Sequence, residues 1–233
     1  MKKILIDVPN RKRDIFCLTL LKMYLEKKGH DVKLVDGLKD NFFQLFTYLP
    51  DVIVLGQVAE IHGAFLARYA KTLGISVIVL RTEGGCITKN TLVSLCSPRY
   101  TKSFDKAIDL EFVWGPKFAD IFIEESKIKS EKVKVCGSPR FDIYSKPFST
   151  LILSKKDFIK KYKLDYKKKI VVYASNLAIA SLDLKNIKNH KDYLEDYENY
   201  WVKIHKRETE LREITTRNVF EAAKSLKAKQ HLF

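Results

Sequence analysis

The 233-residue chain lacks any apolar run long enough to cross a bilayer, so a membrane-spanning helix is excluded. Cysteine is sparse: Cys17, Cys86, Cys96 and Cys136 show no CxxC spacing and have no histidine pair nearby. That pattern excludes a disulfide scaffold and a zinc site, and the four are expected to be reduced, buried thiols. The first residues, MKKILIDVPNRKRD, lack the apolar region and small-residue cleavage site of a secretory signal, which implies a cytoplasmic location. The loop Pro9–Asp14 after the first apolar run holds no glycine and no GxGxxG. A pyrophosphate therefore cannot approach the backbone there as in a dinucleotide fold, and NAD or FAD is not expected.

What is abundant is positive charge: 43 Lys+Arg against 28 Asp+Glu, a formal net of +15. Residues 1–150 carry 24 basic and 17 acidic side chains and residues 151–233 carry 19 and 11, so the excess is denser toward the C-terminus. It is dominated by lysines spread along helix-like stretches, which reads as a solvated face. Nucleic acid is not an expected partner, since there is neither a glycine-rich loop, an RNA-binding aromatic motif nor a zinc framework. An anionic membrane surface and phosphorylated small molecules remain compatible with the charge.

Through residue 140, short apolar runs alternate with longer amphipathic ones. Strands are expected at 4–8, 32–35, 51–56, 75–80, 111–114 and 132–136, with helices at 14–28, 41–49, 59–73 and 117–126. Six strands joined by helices of crossover length predict a Rossmann-like, parallel, doubly wound α/β sheet. The expected division is a domain over 1–140, a linker over 141–150 and a partial second α/β domain over 151–233. That second part shows one clear strand at 169–175, and from Asp183 it reads as charged helix with no further strand.

In such sheets ligands bind beyond the carboxyl ends of the strands. After the first strand, Asn10 and the basic run Arg11, Lys12 and Arg13 could hold an anion, using the charge of the three basic residues and the free N–H groups of a helix start; the competing reading is a surface turn with Asp14 as N-cap. After the third, Glu60 and His62 fall in or near a first helical turn, His62 beside Gly63. After the fourth, Glu83 sits between Thr82 and the pair Gly84 and Gly85, which suits a general base with room for a ligand beside it. Gly137-Ser138-Pro139 makes a sharp exit from the last strand, with Arg140 and Asp142 placed to face an interdomain cleft. No residue set suggests a metal or a bound cofactor.

The ordered set KKILIDVPNRKRD, PDVIVLG, RTEGG, VWGPKFADI and VKVCGSPRFDIY resembles the bacterial surface carbohydrate biosynthesis proteins, over residues 1 to about 180. That family is similar to the two-domain GT-B glycosyltransferases, the polymer glycerophosphotransferases and the capsule sugar transferases. The resemblance implies a transferase moving a sugar from a nucleotide-sugar donor to a polysaccharide or lipid-linked acceptor, without a metal. It implies an acceptor in the N-terminal domain, Glu83 as acceptor-activating base, and Ser175 and Asn176 at the start of the donor domain beside the cleft. Because no further strands or diphosphate-binding helix follow, the donor domain is expected to be incomplete and the isolated chain inactive.

Overall fold

The computed structural model describes residues 1–81, 103–167, 169–172, 180, 202–225 and 230–232. They fall into two compact units, Met1–Ile152 and Leu153–Phe233.

The first unit is a six-stranded, all-parallel sheet: β1 (Lys3–Val8), β2 (Asp31–Asp36), β3 (Val52–Leu55), β4 (Ser76–Leu80), β5 (Leu110–Val113) and β6 (Val133–Val135), in the order β2-β1-β3-β4-β5-β6. This is the parallel, doubly wound sheet expected from the sequence. Helices α1 (Arg11–Lys27), α2 (Leu38–Thr47), α3 (Ile61–Thr72), α4 (Phe104–Ala107) and α5 (Pro116–Ser126) make the connections. The chain steps from β1 outward to β2 and then back past β1 to β3, so the order reverses between β1 and β3. Right-handed crossovers in opposite directions place their helices on opposite faces. Accordingly α1 packs on one face with Ile4, Ile6, Val8 and Val54. Residues of α2, α3, α4 and α5 pack on the other with Leu5, Ile53, Val77 and Val79.

Local sequence explains the ends. Asn10 caps α1, its side chain accepting from the Arg13 N–H at 3.2 Å, and Gly29, at φ +85°, lets the chain turn away. Asp14, read from the sequence as the possible cap, is instead three residues inside the helix and completely buried. Pro116 opens α5 where its missing N–H costs nothing, and Lys127 closes it in the left-handed region. The stretch expected as a linker is partly ordered as a 3-10 turn, Pro139–Tyr144, with Trp114 edge-on to Phe141 at 5.2 Å between ring centres. Of the thiols, Cys17 is buried as expected, whereas Cys136 is exposed; Cys86 and Cys96 lie outside the described residues.

The second unit contains α6 (Lys155–Lys161), β7 (Lys169–Val171), α7 (Lys203–Ser225) and β8 (Gln230–Leu232). Ser154 caps α6, its hydroxyl accepting from the Asp157 N–H at 3.1 Å. The sequence shows only one strand here, but β7 pairs in parallel with β8 in the register Lys169↔Gln230. Three residues at the chain's end are too few to display a period of two, which is why that strand is invisible to pattern reading.

Candidate functional site

The reversal of strand order leaves a crevice at the carboxyl ends of β1 and β3, the place where open α/β sheets bind ligands. It measures about 160 Å3 and is lined by Asp7, Asp36, Gln57, Glu60, His62 and Gly63, among others. Two glycines shape it by close approach. A Cβ on Gly56 would lie 2.5 Å from Cγ of Pro9, so the turns after β1 and β3 touch. A Cβ on Gly63 would lie 1.8 Å from the Gln57 carbonyl oxygen, so the first turn of α3 sits directly on the loop that feeds it.

Asp7 is the group sequence reading missed. It interrupts an otherwise apolar strand at the position that alternation places on the helix-covered face, beside Leu5. The Asn41 amide in α2 donates to Asp7 Oδ1 at 2.7 Å and also to the Gly37 carbonyl at 2.9 Å, tying the carboxylate to the start of α2. Burial raises the Asp7 pKa to about 6; the Asn41 hydrogen bond opposes the rise and nearby Asp36 adds to it. A carboxylate so placed is ionised at neutral pH and more basic than an ordinary one, which suits it to take a proton from a hydroxyl. The lone acidic residue within the apolar run ILIDV was the available signal.

His62 lines this same crevice, as an exposed residue in the first turn of α3. Arg11 and Arg13 are exposed in the first turn of α1, while the Asn10 side chain is engaged as the cap. Arg13 leans on Asp14 at 3.4 Å. Glu83, Thr82, Gly84 and Gly85 lie outside the described residues, as do Ser175 and Asn176. Arg81, which follows β4, is buried, donates through Nε to Glu111 Oε1, and stacks over Phe118 and Phe122. The Trp114 indole N–H holds the Arg81 carbonyl at 3.0 Å. Burial pushes the Glu111 carboxyl upward in pKa, and the Arg81 guanidinium pulls it back.

Within the GSPRFD element, Arg140 reaches across to α1, its Nη2 lying 2.7 Å from Asp14 Oδ1. This part-buried contact fixes the 3-10 turn against the helix that starts beside the crevice. Ser138 is buried and Asp142 exposed. Among the described residues no cluster of His, Cys, Asp or Glu is arranged to hold a metal, and no described helix is long and apolar enough to cross a membrane.

No family model and no curated protein matches the chain. Solved structures do. The UDP-GlcNAc 2-epimerase from Methanocaldococcus jannaschii superposes with a TM-score of 0.54 at 16% identity, over 99% of this chain and 72% of the other. The Staphylococcus aureus MnaA–UDP co-structure superposes with a TM-score of 0.52 at 16% identity, over 84% of this chain; the match spans 60% of the length of that protein. At such identity the likeness is one of architecture, and with the sheet order above it places the chain in the GT-B-like fold.

Proposed function

We propose that this protein transfers a sugar from a nucleotide-sugar donor to a hydroxyl of a polysaccharide or lipid-linked acceptor in surface polysaccharide assembly, with the acceptor seated in the crevice of the first unit. The observation that carries this reading is Asp7, a half-buried carboxylate held by Asn41 at the strand-order reversal and opening on a crevice lined by polar groups. Three carboxylates in one small lining disfavour a phosphate and favour hydroxyls, which donate hydrogen bonds to carboxylate oxygens. In the proposed reaction the acceptor oxygen bonds to the anomeric carbon. The bond from that carbon to the donor phosphate breaks, and the nucleoside diphosphate leaves with its electrons.

Asn41 occupies one oxygen of Asp7, and the other receives the acceptor proton; His62 orients the acceptor by a hydrogen bond. Glu83, two residues after Arg81 in the sequence, is the alternative base. The GT-B-like fold supports the reading, and so do two structural neighbours, a UDP-GlcNAc 2-epimerase and the MnaA–UDP co-structure.

The test is calorimetric titration with UDP-GlcNAc and UDP, followed by release of UDP in the presence of oligosaccharide acceptors. Saturable binding with turnover supports the proposal. Asp7→Asn should then lower kcat by about 10²–10⁴-fold, the range for a proton-transfer group, with Glu83→Gln nearly neutral. The reverse pattern would move the base to Glu83. Absence of any donor binding would sink the transferase reading and leave a module that binds acceptor alone.

A further inference from the structure

The outward ridge of α3 is apolar from end to end. Ile61, Phe65, Tyr69 and Leu73 recur every four residues, and all four are exposed. Phe43, Phe46 and Leu49 carry the patch onto α2 and the residues that follow it. Phe42 joins the two helices, its ring centre 5.1 Å from Phe46, 5.3 Å from Phe65 and 5.2 Å from Tyr69. Packing against the sheet does not account for the patch, because Leu45 of α2 and Leu66, Ala67 and Ala70 of α3 already fill the side that faces it. Scattered surface apolar residues need no explanation, whereas a contiguous patch marks an interaction site.

Size, charge and shape select the occupant. A large apolar side chain presents about 150–250 Å2 when free, and the seven exposed ones of the patch are 38–63% exposed. The patch therefore offers on the order of 600 Å2 per chain. A standard interface buries about 800 Å2 per partner, of which about 65% is apolar in homodimers, so the patch supplies the apolar core that a second copy requires. Its edge carries both signs: exposed Lys39 and Asp40 lie four and three residues before Phe43, and exposed Arg68 lies on α3. Such a mixed edge gives no hold to a surface of one sign and does not bar its own copy. The rest of the chain's +15 is screened beyond about 8 Å at physiological ionic strength. A row of side chains four residues apart interdigitates with a like row on another helix, and a two-fold axis supplies an identical row.

We propose that the α2–α3 face is a self-association surface, through which two copies of this chain form a two-fold dimer with the α3 ridge and the α2 aromatic residues at its apolar core. The interface borders the crevice, because Ile61 at the head of the ridge adjoins His62 and Gly63 in the first turn of α3, and both of these line the crevice. Burying Ile61 against a second copy holds that turn from its outer side, while the close approach of Gly63 to the Gln57 carbonyl holds it from within. The proposal stands whether or not the crevice performs sugar transfer.

The experiment is sedimentation equilibrium of the whole chain, with light scattering as a second measure of mass, from about 1 to about 100 µM, the range in which a micromolar dimer dissociates. The expected result is the mass of two chains at the upper end, falling toward that of one on dilution. Phe43→Glu on α2 and, independently, Ile61→Glu on α3 should each weaken association about a hundredfold or more, since every change counts twice across a two-fold axis. Both side chains are more than half exposed in the single chain, and the second variant keeps the test valid if the first misfolds, with circular dichroism as the check. A wild-type chain that stays monomeric throughout would overturn the proposal and leave the patch to a different partner. So would a dimer unchanged in either folded variant, which would place the contact on another face.

Discussion

The two faces of the six-stranded sheet are covered unequally. On one, α2, α3, α4 and α5 bury a continuous core from Leu45 to Val133. On the other, α1 covers the β2-β1 side, and beyond it lies an apolar groove of about 550 Å3 lined by Ile4, Val52, Val54, Ile78, Leu80 and Phe112. The cause is topological. Only the β1-to-β2 connection runs leftward, so among the described helices of the first unit α1 alone lands on that face; every later crossover in the sheet runs the other way. The four-helix face can therefore bury charge, and it does so with Arg81–Glu111, whereas the α1 face carries its ion pair, Asp14–Arg140, at the helix start.

The sharpest way to break this comparison is Arg81→Met. It leaves Glu111 buried without its counter-charge on the fully covered face and should cost about 3–5 kcal/mol by chemical denaturation. Adding Glu111→Leu should return much of that loss, because no lone charge then remains. Next, Phe104→Ala on the same face should cost about 3–5 kcal/mol, the range for a fully buried aromatic, while Ile78→Ala in the half-open groove should cost about 1–2 kcal/mol, since part of that side chain already meets water. Equal losses at the two positions would show that the groove is as dry as the core.

A smaller and opposite effect is expected at Asp7. Its folded pKa, about 6, stands above the ordinary 3.8, so the folded chain binds the proton more tightly than the unfolded one. Stability contributed this way is complete below about pH 3.8 and declines as pH rises through about 6. Asp7→Asn should accordingly raise stability by about 1–2 kcal/mol at pH 8 and by almost nothing at pH 4. Thermal melts at the two pH values check this. A destabilised variant at pH 8 would mean that the carboxylate is well solvated in the crevice. Because the same substitution is expected to lower kcat by about 10²–10⁴-fold, the position would hold function at the expense of stability.

Much of the architecture was legible in the sequence because parallel strands buried on both faces read as plain apolar runs, such as Val52–Leu55 and Ser76–Leu80. The reversal of strand order was not legible, since it depends on which strands pair, and the crevice depends on that reversal. His62 was visible as a polar residue at a helix start. Asp7 needed the pairing of α2 with β1 to acquire its partner Asn41, 34 residues away. Asp14 misled for the same reason: its spacing suits a cap, but the carboxylate is claimed by an arginine on a distant turn, and Asn10 takes the cap instead.

That distant partnership has a consequence for how the chain is made. Asp14 and Arg140 are 126 positions apart, so a nascent chain emerging from the ribosome presents α1 with a buried acid and no Arg140 opposite it. The sheet can assemble strand by strand as synthesis proceeds at about 5–20 residues per second. The base of α1, and with it the turn that carries Pro9 into the crevice, is secured only after β6 and the GSPR turn have cleared the exit tunnel. For the roughly ten seconds of translation that separate the two residues, the first unit is a growing sheet whose crevice edge is unfinished.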